Sequence, residues 1–181
     1  MQIETKRLLL RPFAEADAAD LYKYAKDPEV GPAAGWPPHG SVEESRNIIR
    51  LVLSGPESYA ICEKEDGRVI GAIGLSMNGD SRLAEEEDEC ELGYWIGKPF
   101  WGQGLMTEAS EALLRRAFTE LGMRRVWCAY FEGNEKSKRV QEKLGFRHEK
   151  TLREVEVPLL KEVRIEHVSL LSREAWLQKN M

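Results

Sequence analysis

The stretch YWIGKPFWGQGLMTEA, residues 94–109, sets Gly102 and Gly104 between an apolar, strand-like run and a segment of helix formers. Glycine frees the backbone to turn and clears side chains from the corner. A helix that opens directly afterwards offers its first N–H groups without intrahelical acceptors. Together these features can hold an anion, most often a phosphate; the plainer reading is a tight loop between strand and helix. Two familiar phosphate sites do not fit. A mononucleotide loop needs Lys and then Ser or Thr straight after its last glycine, whereas Leu105 and Met106 follow Gly104 and Thr107 has no Lys before it. A dinucleotide fingerprint needs a third glycine, which GQGLMT lacks, and opens a longer doubly wound sheet. What remains is a mid-chain pyrophosphate site partnered by the next helical stretch, NEKSKRVQEKLGF.

The elements around this corner follow from periodicity and punctuation. Residues 3–11 read as a strand, and AEADAADLYKYAKD as a helix with Leu21, Tyr24 and Ala25 on one face. The Gly- and Pro-rich EVGPAAGWPPHGS predicts irregular structure, a loop over something, leading into SVEESRNIIRLVL, a helix opened by Ser41 with Glu44 completing a capping box. Residues 58–64 and 68–77 predict a hairpin with Asp66-Gly67 at its tip. AEEEDE, 84–89, is either a solvated acidic loop or a guide for a cationic substrate. CELGYWIG predicts a strand, and the spacing from Leu105 to Leu121 a helix stopped at Gly122. RRVWCAYF is a further strand, NEKSKRVQEKLGF a helix capped by Asn134 and stopped by Gly145, and 148–157 with 161–170 a last hairpin around Pro158. The order β-α-α-β-β-β-α-β-α-β-β predicts a mixed sheet with helices on both sides. Its β-α-β unit around the glycines should be a parallel, right-handed crossover.

With 181 residues, 42% of them apolar, the chain suits a single domain over 1–181. A formal charge of −5 argues against a general nucleic-acid binder and favours a cationic partner. Cys62, Cys90 and Cys128 are too scattered for a disulfide framework or a zinc site and read as core thiols. The N-terminal apolar patch is too short for a signal peptide and no run is long enough for a membrane span, so a cytoplasmic protein is expected.

The pairing of GYWIGKPFWGQGLMTEA with NEKSKRVQEKLGF resembles the acyl-CoA-binding core of GNAT-superfamily N-acetyltransferases. TKRLLLRPFAEADAADL and GWPPHGSVEES resemble the branch that contains the ribosomal-protein N-terminal acetyltransferases. The resemblance implies an α/β (α+β) fold of GNAT type: a mixed, mostly antiparallel central sheet with a splayed parallel strand pair and helices on both faces. The family's corner signature is Gln or Arg, two residues, Gly, one residue, then Gly or Ala. Here it begins at Trp101, has its glycine at Gly104 and ends at Met106, so its first and last positions depart. The Trp-Gly-Gln-Gly form is itself common in the ribosomal-protein-like branch, and Met106 leaves less room beside a pyrophosphate.

By this resemblance the backbone N–H groups of Gly102, Gln103, Gly104, Leu105, Met106 and Thr107 hold the pyrophosphate of acetyl-CoA. The strand through Trp95, Ile96 and Gly97 splays from Val126–Phe131, so that pantetheine can pair with its exposed edge, with Gly93 and Gly97 allowing close approach. Asn134 matches an asparagine that binds the pantetheine region, although as a residue it also reads simply as a helix cap. Ser137 matches a hydroxyl near the thioester sulfur, where the plainer reading is an exposed helix residue. Trp36 and His39 match a segment bordering the acceptor site; His39 could touch substrate or relay a proton, while a lone loop histidine is ordinarily solvated.

The implied chemistry is attack of a neutral amine on a thioester, which needs a base, an oxyanion donor and an acid for the thiolate. Glu91 is the candidate base, with Glu89 on the same strand face; alternatively both merely end the acidic run. The backbone N–H near Ile96 is the oxyanion candidate. Ser137 is the acid, ahead of Tyr130. The expected activity is acetyl-CoA-dependent N-acetylation of a primary amine, on a protein N-terminus or a small molecule, with a non-catalytic acyl-CoA sensor or scaffold as the alternative. Neither nucleic acid, membrane nor metal is implied, and the chain is expected as a monomer or homodimer.

Overall fold

A computed structural model describes residues 1–180. The strand expected over 3–11 is broken in two: β1 (Ile3–Glu4) pairs antiparallel with β2 (Leu8–Arg11), Ile3 opposite Leu10. Thr5 causes the break, its N–H donating to the Leu8 carbonyl while its Oγ1 accepts from the Leu8 N–H. Helix α1 (Ala18–Ala25) buries Leu21, Tyr24 and Ala25, the face its spacing predicted. The Gly/Pro-rich segment is not wholly irregular as expected, because it contains a one-turn helix, α2 (Gly31–Ala34). Pro32 sits in the first turn, where a missing N–H is harmless, and Gly35 ends it in the left-handed region. In α3 (Val42–Leu51) the Ser41 hydroxyl accepts from the Glu44 N–H at 3.0 Å. The return bond of the expected capping box reaches one residue further, from Gly40 N–H to the Glu44 carboxylate at 2.6 Å.

Next come the hairpin β3 (Ser58–Glu63) and β4 (Val69–Met77), then β5 (Glu89–Ile96), α4 (Leu105–Thr119) and β6 (Arg125–Phe131). Helix α5 (Glu135–Leu144) opens at Asn134, whose side chain accepts from the Ser137 N–H, and closes at Gly145. The hairpin β7 (Arg147–Val157) and β8 (Glu162–Ser172) runs into α6 (Arg173–Asn180). The strands form an eight-stranded sheet in the order β1-β2-β3-β4-β5-β6-β8-β7, mostly antiparallel, with β5 and β6 as its parallel pair. That parallel ladder holds Glu89 to Glu91 against Arg125 to Trp127 and stops there, although β5 runs on to Ile96 and β6 to Phe131. On its other edge β6 pairs with β8 along its whole length, from Arg125–Ser172 to Phe131–Glu166.

The chain divides into two compact units. The first holds Met1–Gly74 and Tyr94–Ala112. Its core includes Ala18, Leu21 and Ile49, with Phe13, Val42 and Trp95 packed on them, and a second cluster of Ala60, Cys62 and Val69. The second unit holds Leu75–Gly93 and the residues from Leu113 onward. There Leu113, Leu114 and Phe118 of α4, Val126 and Cys128 of β6, and Val168 and Leu171 of β8 are all fully buried. Trp176 of α6 packs on Phe118 with ring centroids 5.4 Å apart, while Leu159 and Val163, near the tip of the β7–β8 hairpin, are exposed.

Candidate active site

In the first unit, Gly102 and Gly104 both have φ near 74°, the left-handed region that side chains disfavour. A Cβ at Gly102 would meet no atom within 4 Å, and one at Gly104 would meet only the tip of Arg7, at 3.7 Å. The glycines are therefore required by conformation, and the space beside Gly102 is open. Helix α4 starts at once: Glu108 N–H bonds to Gly104 O at 3.0 Å, so Leu105, Met106 and Thr107 present N–H groups with no intrahelical acceptor. Leu105 and Met106 bury their side chains, so the departure at Met106 adds no exposed bulk to the corner. Trp101 donates its indole N–H to Ile96 O at 2.9 Å, and Gln103 donates its amide to Pro99 O at 2.8 Å; both side chains brace the turn.

A clamp that sequence reasoning missed fixes this corner from the N-terminus. Glu108 accepts from Thr5 Oγ1 at 2.6 Å, from Arg7 N–H at 2.7 Å and from Arg7 Nε at 2.7 Å, while Arg7 Nη1 reaches Gln103 O at 3.0 Å. Desolvation pushes the Glu108 carboxyl up, but the bonds from Thr5 and Arg7 outweigh it and hold it below the usual carboxylate range. Gly97 proves to serve packing, since a Cβ there would lie 2.7 Å from the Tyr24 ring. Trp95 meets Trp36 edge-on at 5.4 Å, and Trp36 lies 5.2 Å from His39. His39 is not solvated: it is buried, its Nδ1 is 2.7 Å from Ser45 Oγ, and burial lowers its pKa against the smaller opposing pull of Glu44. Its ring therefore stays neutral as pH falls through its ordinary pKa, where a solvated histidine would charge.

The second unit carries the other predicted residues. Glu89 is buried and fully engaged, accepting from Arg125 Nη1 at 3.0 Å, Trp127 Nε1 at 2.9 Å and Glu85 N–H at 3.3 Å. Burial works against its charge, but these donors keep its carboxyl below the ordinary range. Glu91, half-buried, accepts from Ser81 Oγ at 2.7 Å; that hydroxyl in turn accepts from Leu83 and Ala84 N–H at 2.9 and 3.0 Å. Ser81 thus fixes the loop before β5 to the candidate base. Asn134 Oδ1 accepts from Ser137 N–H at 3.2 Å, and Ser137 Oγ accepts from Gln141 Nε2 at 3.3 Å. Tyr130 stacks on His167 at 5.0 Å, and desolvation raises its pKa.

The structure thus combines an eight-stranded mixed sheet containing one parallel pair with a double-glycine corner that opens a helix after strand β5. The profile of the acetyltransferase (GNAT) domain matches residues 7–147, and the chain belongs to that family. It is 31% identical over 175 residues to the uncharacterized N-acetyltransferase p20 of Bacillus licheniformis, covering 94% of this chain and 96% of that protein. A GNAT-family acetyltransferase structure from Bacillus anthracis superposes with TM-score 0.83 at 24% identity, covering 96% and 99% of the two chains. The ribosomal-protein-S5-alanine acetyltransferase of Vibrio fischeri shares the fold, with TM-score 0.73 at 19% identity over 97% and 98%. The chain is accordingly an N-acetyltransferase. Among the described residues no helix is long and apolar enough to cross a membrane.

Proposed function

We propose that the whole chain acts as one domain that transfers acetyl from acetyl-CoA to a primary amine, by direct attack in a ternary complex. The corner carries this reading: two left-handed glycines, open space at Gly102 and the unpaired first-turn N–H groups of α4 fit a pyrophosphate. Acetyl-CoA supplies the activated acetyl thioester. Gly102 to Thr107 bind its pyrophosphate, and the arm lies along the Trp95–Gly97 backbone, where the parallel ladder has already ended. Asn134 serves the pantetheine as well as capping α5, and Ser137 Oγ returns a proton to the thiolate.

Glu91, oriented by Ser81, takes the proton from the acceptor ammonium, directly or through a water. Glu89 we assign as the strut that ties β5 to β6, because Arg125, Trp127 and Glu85 already use its carboxylate. Trp36 borders the acceptor, and His39 acts through Trp36 as a neutral, buried support. A protein N-terminal amine and a small-molecule amine are the two acceptor classes.

The test is thiol release from acetyl-CoA with N-terminal peptides, polyamines and aminoglycosides as acceptors. Turnover on one class should fall about 100-fold in Ser137→Ala and in Glu91→Gln, the scale of general acid–base catalysis, with CoA binding intact. CoA binding without turnover on any acceptor supports the sensor reading instead. Absence of CoA binding removes the transferase reading.

A further inference from the structure

We infer that Glu166 determines acceptor specificity, by taking a cationic group of the substrate other than the amine that is acetylated. The inference rests on the transferase reading for the identity of the acceptor, but its evidence lies wholly in the second unit. Glu91 and Trp127 are partners in the β5–β6 ladder, and Phe131 and Glu166 are partners in the β6–β8 ladder. Trp127 and Phe131 lie four residues apart on one strand, so the period of two places Glu91 and Glu166 on the same sheet face.

Glu166 is 3% exposed, and its Oε2 is buried without a hydrogen-bond partner. A carboxylate oxygen in that condition is poorly compensated until a donor reaches it. Its Oε1 is bonded to Arg82 Nη2. Arg82 comes from the loop between β4 and β5 and its side chain is half exposed, so it is a removable cover over a carboxylate fixed in a strand.

The charges around it leave room for a cation. Arg125 balances Glu89 and Arg124 balances Asp88. Glu91 receives the neutral Ser81 hydroxyl; burial works against the charge of Arg82 while Glu166 and Glu91 together outweigh it, so Arg82 faces two carboxylates. Lys150 on the same face is exposed and lies 5.8 Å over the Trp127 ring. A substrate ammonium can donate to Glu166 as Arg82 swings toward solvent, while the reacting amine is left to Glu91. The acceptor class is thus an amine with a second positive charge: a diamine, or a peptide with a basic side chain near its N-terminus.

The test compares 1,4-diaminobutane with n-butylamine, which differ in the second ammonium, as acceptors and as ligands in thermal unfolding. The wild type should favour the diamine about tenfold or more in kcat/KM, and Glu166→Gln should bring the ratio close to one, a change that a purely structural role would not produce. Arg82→Met should lower KM for the diamine, since the resting partner no longer competes, and it keeps the test open should Glu166→Gln not fold. In unfolding scans the diamine should raise Tm of wild type and Arg82→Met but not of Glu166→Gln. A wild type that treats the amines alike, or a Glu166→Gln protein that keeps the preference, overturns the inference. If neither amine is acetylated, the unfolding scans decide alone: a diamine shift that depends on Glu166 sustains the site, its absence overturns it, and the transferase reading is judged separately by CoA binding and the wider acceptor panel.

Discussion

Gly104 illustrates what a single residue contributes here. Its φ near 74° is disfavoured for any side chain, yet a Cβ would meet only Arg7 at an ordinary 3.7 Å, so Gly104→Ala isolates backbone strain. It should lower stability by about 1 kcal/mol and weaken CoA binding measurably by calorimetry; unchanged affinity would show that the corner does not hold the ligand. His39 makes a second prediction. Its folded pKa lies below the unfolded value, so the unfolded chain takes up the proton first and the stability due to neutral His39 is lost as pH falls below about 6.5. Urea denaturation should show wild type losing stability relative to His39→Gln across that window; parallel pH profiles would contradict it. The turn at Gly104 was legible in the sequence, because a glycine between a strand and a helix marks a corner on either reading of its use. His39 was not legible, since burial beside Ser45 and Trp36 depends on how the loop folds back.

The elements are held in place by contacts remote in sequence. Thr5 and Arg7 precede β2, Glu108 opens α4, and their bonds fix the glycine corner. Because the Glu108 carboxyl is held below the ordinary range, its contribution is present above about pH 4 and lost as pH falls through its folded pKa. Glu108→Gln should therefore cost about 1 kcal/mol near neutral pH, discounted for the half-exposed Arg7, with the difference shrinking in urea titrations as pH falls below the ordinary carboxylate range. Equal losses at neutral and acidic pH would contradict the charge-based clamp. Local signals served the elements well: Ser41, Asn134 and Gly145 cap where their residue types say they should. The one-turn helix α2 was also written locally, in Pro32 and Gly35, but was hidden by reading Gly and Pro as breakers alone. The break between β1 and β2 turns on Thr5 bonding back to its own strand, which alternation does not report.

At the scale of the molecule, charge and core make separable predictions. The net −5 should draw cationic acceptors, so KM should rise with ionic strength, more steeply for a diamine than for a monoamine of single charge. All three cysteines are buried, and desolvation pushes the Cys62 thiol up to about 11. A thiol reagent should find no fast-reacting group until the protein is denatured, leaving CoA release readable against a flat background; rapid labelling of the native protein would contradict this burial. The family was legible because the corner and the helix from Asn134 lie on the chain in a fixed order. The surroundings of Glu91 and Glu166 were not, because Ser81 and Arg82 reach these two carboxylates from one loop, and only the pairing of the strands brings the carboxylates to one sheet face. The measurement closest to the central claim is initial-rate kinetics with acetyl-CoA and an amine varied together. Direct transfer in a ternary complex predicts intersecting reciprocal plots and no acetylated protein when acetyl-CoA is added alone. Parallel plots with a stable acetyl-protein would contradict it.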